Sequence, residues 1–281
     1  MNYRQLLIEA EHVLRKNFFN NNASLDVEIL LAEALNKSRE HIIINQEKIA
    51  KPHQIKNFKE LLNLRCKQTP IAQILGYKEF YNTKFKINKS VLIPRPETET
   101  LVDKILKLLK PNDCKNILDI GTGSGCILIS ILKERLKCQG TGVDISKEAI
   151  KVAEINAKIQ HLSNRIKFIH SDIDKFLGNK YDLIVSNPPY INKFKIKSLI
   201  GDVKDFEPML ALDGGPNSYK QLIKVIKKSN ICLRKNGSLF LEIDDNQNFM
   251  IKEILKKNNF YVKEITRDHA GKFRYVSAIK K

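Results

Sequence analysis

The sequence predicts an α/β protein: a mostly parallel sheet covered by helices and closed by an antiparallel C-terminal hairpin, behind a small N-terminal helical bundle. Three observations carry this. After Lys110, apolar strand-like runs alternate with amphipathic helical stretches, the pattern of successive βαβ units. A glycine-rich turn, "GTGSG", joins the first of those runs to a helix. The first 75 or so residues instead repeat apolar side chains at helical spacing.

In the N-terminal part, Leu6, Leu7, Ala10, Val13 and Leu14 share one helix face, and Leu25, Ile29, Leu30 and Leu35 a second. Ser24 suits an N-cap, with Asp26 and Glu28 placed for the helix dipole. Ser38 suits the cap of a short helix containing Ile42 to Ile44. Pro52 opens a further helix with Ile55, Phe58, Leu61 and Leu62 on one face, so four short helices are expected. From Pro70 the rhythm changes: Phe80, Tyr81, Phe85, Ile87 and Val91 alternate with polar residues, and Asn82–Thr83 suits a turn, predicting a hairpin-like connector. "TETLVDKILKLLK" is the next helix. Strands follow in "KNILDIG", "GTGVDIS", "RIKFIHSD" and "YDLIVSNPPY", separated by helices in "GCILISILKERL" and "KEAIKVAEINAKI". A helix from Ser218 to Ser229, the strand "GSLFLEI", a helix from Gln247 to Asn258, and two strands joined by "HAGK" complete the chain. The last pair predicts a hairpin at the sheet edge.

Length suits two domains of unequal size, and no apolar run reaches the length of a membrane span. The N-terminus has no apolar core of a signal peptide. Five scattered cysteines without CxxC pairs, and six dispersed histidines, favour reduced thiols in a cytoplasm over a disulfide frame or a metal site. The net charge of +18 fits attraction to a nucleic-acid partner, but abundant Lys, Asn and Ile also fit compositional drift.

The chemistry concentrates at strand ends. Gly121, Thr122, Gly123, Ser124 and Gly125 make a tight turn whose glycines let backbone approach a ligand. The spacing matches neither a nucleoside-triphosphate P-loop nor the GxGxxG dinucleotide fingerprint. Asp144 closes the second strand about 20 residues further on, where a carboxylate accepts ribose hydroxyls; helix capping is its plainer role, and Ser146 serves there equally well. Asp172 ends the third strand, suited to an adenine amino group, with Ile173 against the ring. After the fourth strand, Asn187, Pro188, Pro189 and Tyr190 form a stiff corner. Proline lacks an N–H, so the Pro188 carbonyl stays available as an acceptor beside Asn187 Oδ1. Two such acceptors suit a planar –NH2 group whose nitrogen becomes positive as it attacks an electrophile. Tyr190 offers a flat wall.

Taken with "PIAQILGYKEFYNTKFKINKSVLIPRPETETLV", "ILDIGTGSG", "VDIS", "YDLIVSNPPYI", "FEPMLALDGG", "EIDDNQ" and "AGKFRYV", the chain resembles the PrmC/HemK family of peptide chain release factor glutamine methyltransferases over nearly its whole length. The resemblance implies a Class I S-adenosylmethionine-dependent methyltransferase fold, Rossmann-like. It implies three parts: a helical substrate-docking domain at 1–75, a β-hairpin connector at 76–96 and a methyltransferase domain at 97–281. It also implies methylation of the side-chain amide nitrogen of the glutamine in the Gly-Gly-Gln loop of bacterial class-1 release factors, with S-adenosyl-L-methionine as cofactor and S-adenosyl-L-homocysteine as product. Gly121 to Gly125 would cradle the methionine part, Asp144 the ribose and Ile173 the adenine; Asn187, at the edge of the cofactor site, would hold the glutamine with Pro188, Pro189 and Tyr190. A cytoplasmic monomer needing no metal, nucleic acid or membrane is expected. Asp244 and Asp245 in "EIDDNQ", and "GGPNSYKQL" after the glycine pair, depart from the family pattern. The asparagine-proline corner is shared with nucleic-acid adenine methyltransferases, so a DNA or RNA adenine N6-methyltransferase is an alternative. A non-catalytic RNA- or ribosome-binding protein on the same scaffold would require degenerate cofactor residues.

Overall fold

The computed structural model describes residues 1–17, 22–198, 205–268 and 270–281; His269, within the expected "HAGK" joint, lies outside them. The chain forms two compact units, one built on Met1–Gly76 together with the described Asp205 and Phe206, and one on the rest of the chain from Tyr77. No described helix is long and apolar enough to cross a membrane.

The first unit holds five described helices where four were expected: α1 (Tyr3–Asn17), α2 (Ala23–Leu35), α3 (Arg39–Ile44), α4 (Pro52–Cys66) and α5 (Ile71–Leu75). The fifth lies in the stretch read as the start of the connector. Pro70 precedes it, and Gly76, at φ 76°, ends it in the left-handed region glycine tolerates. In α1, Tyr3, Leu6, Ala10 and Leu14 are buried while Val13 is exposed. In α2 the buried stripe is Ala23, Val27, Leu30, Leu31 and Leu35, and Leu25 faces solvent. That helix begins one residue before Ser24, with Asn22 at the cap position, so Ser24 is not the cap. Ser38 does cap α3, its hydroxyl accepting the His41 N–H at 3.3 Å. Phe58 of α4 joins the same core, with Ile55, Leu61 and Leu62 packed against it. Asp26 has a different task from the dipole role expected of it. It is buried, and Arg65 Nε of α4 donates to its Oδ2 at 2.8 Å while Arg65 Nη1 reaches the Thr69 carbonyl.

The second unit opens with an antiparallel hairpin, β1 (Tyr77–Phe80) and β2 (Thr83–Lys86). Its turn is centred on Tyr81 and Asn82, one residue earlier than expected, and both have positive φ, as a two-residue hairpin turn matched to strand twist requires. Helix α6 (Pro96–Leu108) follows. Then come β3 (Asn116–Ile120), α7 (Cys126–Glu134), β4 (Gln139–Asp144), α8 (Lys147–Ile159), β5 (Ile166–His170) and β6 (Tyr181–Ser186). The short α9 (Met209–Leu212), α10 (Lys220–Cys232), β7 (Leu233–Glu242), α11 (Asn248–Lys257), β8 (Phe260–Arg267) and β9 (Phe273–Lys280) finish it. Seven strands form one sheet in the order β5-β4-β3-β6-β7-β9-β8. The first five are parallel; β9 runs antiparallel between β7 and β8. Strands β3 to β5 wind outward one way and β6 onward the other, so the switch point lies between β3 and β6. Ligands of open α/β sheets bind outside the carboxyl ends of the strands at such a point. Leu118, Ile184, Leu239, Leu241 and Val276 from the sheet pack with Leu222, Ile226, Ile251 and Leu255 from α10 and α11.

The buried Asp26–Arg65 pair generates a stability prediction. Removing one partner leaves the other charge buried, which costs about 3–5 kcal/mol, whereas replacing both by apolar residues is close to neutral. Arg65→Met should therefore lower the urea-unfolding free energy by that order, and Asp26→Leu/Arg65→Met should recover most of it. Equal loss in the single and double variants would show that the charge is not the cause.

Candidate active site

The cavity at the switch point is bounded by the ends of four strands. Gly121 and Gly123 follow β3, Asp144 to Ser146 end β4, Ser171 to Ile173 follow β5, and Ser186 to Pro189 end β6. Ser90 to Leu92, beyond the hairpin, and Pro208, Leu210 and Ala211 around α9 line other sides. All of these belong to the second unit.

The glycine loop is held from below. Gly121 and Thr122 N–H groups both donate to the Val143 carbonyl, at 2.8 and 3.1 Å. Gly121, Gly123 and Gly125 have φ of 73°, 55° and 78°, conformations that a side chain would strain. Thr122, Ser124 and Gly125 are not cavity-lining. Thr122 is buried and donates its hydroxyl to Asp119 Oδ2 at 2.7 Å. The Ser124 carbonyl accepts from Asn156 Nδ2. Gly125 caps α7 and packs against Ile129 and Ala153. The loop thus offers Gly121 and Gly123 to a ligand and uses the other three residues to fix its shape.

Asp144 spans the loop and the next helix: Oδ2 accepts the Gly123 N–H and Oδ1 the Ser146 N–H, both at 2.9 Å. The cap of α8 is Ser146, which accepts the Ala149 N–H, so Asp144 is free of that duty. Burial raises its pKa, against the pull of the two N–H groups. Asp172 Oδ1 accepts the Asp174 N–H, and Ile173 faces the cavity from beside it.

The corner after β6 is braced on both sides. Ser186 donates to the Ile120 carbonyl at 2.6 Å. The Ile191 N–H donates to Leu212, and the Gly214 N–H to Ile191. Any Cβ at Gly214 would stand 2.9 Å from the Pro189 oxygen, which explains a glycine there. Asn187, Pro188 and Pro189 line the cavity; Tyr190, expected as a wall, is not among the lining residues. Its ring lies 6.0 Å from the Arg274 guanidinium carbon. Burial first, then Glu242, pushes its hydroxyl up to about 12.

Several residues with a part in this site carried no role in the sequence reading. Thr98 of α6 donates to Glu242 Oε2 at 2.7 Å, and Asn187 Nδ2 lies 3.4 Å from Thr98 Oγ1. Glu242 is buried at the end of β7, and burial pushes its pKa up to about 7. Arg95 Nη2 pairs with Glu207 at 2.6 Å, tying the start of α6 to the segment leading into Pro208. The available signal was a single carboxylate closing the otherwise apolar run "SLFLEI".

Comparison with known proteins bears on these features. The PrmC N-terminal domain family matches residues 5–76 and the methyltransferase small domain family residues 98–203. A Clostridium acetobutylicum protein named release factor glutamine methyltransferase is 35% identical, covering 100% of this chain and 99% of its own. A Rhodopirellula baltica protein of the same name is 36% identical over 94% of this chain and 93% of its own. The chain belongs to the release factor glutamine methyltransferase family. Among solved structures, a methyltransferase from Pyrococcus furiosus aligns with TM-score 0.53 at 17% identity, over 70% of this chain and 88% of its own. A ribosomal protein L11 methylase from Lactobacillus delbrueckii subsp. bulgaricus aligns at 0.50 and 23%, over 66% and 80%. Both likenesses concern the fold, that of Class I S-adenosylmethionine-dependent methyltransferases.

The residues of this family member fit that cofactor. A Cβ on Gly121 or Gly123 would project into open space, where the loop leaves room for a ligand. Asp119, buried beneath the loop, has an Oδ1 with no partner among the described residues. Asp144 keeps unused acceptor capacity for hydroxyls. Ile120, Val143, Ile145, Ile173 and Val225 supply apolar walls.

Asp119 makes a pH prediction. Burial pushes its pKa from an ordinary 3.8 up to about 7, with Thr122 opposing and Asp144 reinforcing. Between those values the folded chain keeps a proton the unfolded chain has released, so stability is greatest at the acid end and falls as pH rises towards 7. Glu242 acts in the same direction. Without cofactor, Asp119→Asn should flatten the decline in urea-unfolding free energy between pH 5 and 7 by on the order of 1 to 3 kcal/mol. An unchanged slope would remove Asp119 as its source.

Proposed function

We propose that this chain transfers a methyl group from S-adenosyl-L-methionine to the side-chain amide nitrogen of the glutamine in the Gly-Gly-Gln loop of bacterial class-1 release factors. The relatives' names support the substrate class. The observation that carries the chemistry is the corner at Asn187. Among the described residues, nothing donates to Asn187 Oδ1 or to the Pro188 carbonyl, and both residues face the cavity. Two unengaged acceptors suit the two hydrogens of a carboxamide.

When bound, the cofactor supplies an electrophilic methyl on a sulfonium. Gly121 and Gly123 hold its amino-acid part, Asp144 its ribose and Ile173 its adenine. Asn187 and Pro188 accept the amide hydrogens and fix the nitrogen's direction. Amide nitrogen is a poor nucleophile because its lone pair is delocalised. As it attacks and the methyl–sulfur bond breaks it would gain positive charge, which the two oxygen dipoles stabilise more than the ground state, and it would then lose one proton to water. Pro188 and Pro189 keep the acceptors from reorienting. The helical unit takes the protein substrate in this reading, supported by its exposed Ile8, Ile44 and Ile49. A nucleic-acid adenine offers the same –NH2 group, but the family relationship favours the release factor.

The deciding assay uses labelled S-adenosyl-L-methionine with purified release factor, and a factor whose loop glutamine is alanine as control. Label on the first and none on the second is expected; equal label on both, or label on nucleic acid alone, overturns the reading. Asn187→Ala should lower kcat by about 100-fold or more, the scale of losing a transition-state acceptor, with cofactor affinity within a few-fold. Asp144→Ala should instead weaken cofactor binding, measured by calorimetry, and unchanged affinity would refute its ribose role.

A further inference from the structure

An asparagine amide has two ends of nearly equal shape and opposite hydrogen-bonding character. Rotated half a turn, Asn187 would point Nδ2 at the cavity, donate where it must accept, and repel an incoming –NH2 group. Something must select one orientation. Thr98 has a single hydroxyl hydrogen, and toward an ionised Glu242 it is committed to Oε2 at 2.7 Å. The Thr98 oxygen can therefore only accept from Asn187, and Nδ2 at 3.4 Å is the atom that can donate to it. The strand register makes this possible: Ser186 of β6 pairs with Leu241 of β7, so Asn187 and Glu242 leave their strands as neighbours.

We propose that Thr98 and Glu242 are positioning residues that hold Asn187 Nδ2 away from the cavity, so that Oδ1 is the end presented to the substrate amide. This deepens the proposed function and rests on it. Glu242 is not a general base in this scheme: it is 1% exposed, does not line the cavity, and lies behind Asn187. A second consequence is electrostatic. The chain from Asn187 Nδ2 through the Thr98 hydroxyl to Glu242 Oε2 polarises the amide and strengthens Oδ1 as an acceptor, since chained hydrogen bonds reinforce one another. The orientation selected is also the one that discriminates. A substrate atom that can only accept finds no donor at this corner.

The test uses the full chain with asparagine labelled by nitrogen-15, and the variants Thr98→Val, Thr98→Ser and Glu242→Gln. Thr98→Val keeps shape and removes the hydroxyl. The Asn187 Nδ2 hydrogens should exchange with solvent at least tenfold faster in Thr98→Val than in the wild type, and Thr98→Ser should restore slow exchange. In methyl transfer to release factor, Thr98→Val should lower kcat at least tenfold, with KM for the cofactor within about threefold and Thr98→Ser within threefold of wild type. Should Thr98→Val fold poorly, Glu242→Gln takes its place in both measurements. Unchanged exchange and kcat in the folded variant would overturn the proposal. So would a loss that Thr98→Ser fails to rescue. If the wild type transfers no methyl to glutamine, the functional reading falls, while the exchange comparison still decides the orientation claim.

Discussion

The register of β3 between β4 and β6 is the constraint on which the site depends. Ile120 pairs with Val143 on one side and Ser186 on the other. The next residue on each strand, Gly121, Asp144 and Asn187, therefore comes to the sheet's carboxyl edge at one level. Nothing further is needed to bring a backbone turn, a carboxylate and a carboxamide around one cavity. A slip of one residue in any of the three strands would send these side chains to opposite faces. The buried bonds across this edge, Ser186 to Ile120 and the loop amides to Val143, resist that slip.

The departures from the family pattern fall where structure absorbs them. Asp244 has φ −78° and ψ 149°, an ordinary extended conformation that any residue adopts. It caps the following turn, accepting the Asn246 N–H while Gln247 accepts from the Asp244 N–H. Asp245 accepts the Phe273 N–H at 2.7 Å, fastening the start of β9. In "GGPNSYKQL", Ser218 takes the left-handed conformation at φ 62°, and its carbonyl accepts from Gln247 at 2.5 Å. Asp244, Asp245 and Ser218 are thus tied into local structure, while the same loop places Gly214 against the Pro189 carbonyl and Gln221 on the cavity wall.

The strand and helix alternation of the second unit was legible because each strand is a short apolar run and each helix a stripe. The register and the sheet order were not, since they depend on pairing between distant runs. The N-terminal helices were legible as helices but less so as faces. Leu25 and Val13 fit an apolar stripe by spacing and still face solvent, because the neighbouring helices occupy only part of the available arc. Asp26 read as a helix-dipole residue because its partner lies 39 positions away. At the site, residues announced by unusual local chemistry were readable: glycines in a turn, an acid ending a strand, prolines after an asparagine. Thr98 and Glu242 were not, for their meaning lies in meeting Asn187 across 89 and 55 positions of chain. The surroundings of Tyr190 were hidden for the same reason: Arg274, beside its ring, arrives from β9.

Two of the buried acids, Asp119 and Glu242, contrast. Glu242 accepts from Thr98, which in turn accepts from Asn187. Asp119 accepts from Thr122 on one oxygen and has nothing described on the other. Both carry raised pKa values, so both weaken the fold near neutral pH. Stability alone would favour apolar residues of similar volume at such positions. Their placement argues for another demand. Asp119 stands one residue inside the end of β3, below the glycine loop, and Glu242 closes β7 behind the carboxamide. The cost in stability is concentrated where backbone or side-chain direction decides what the cavity can bind.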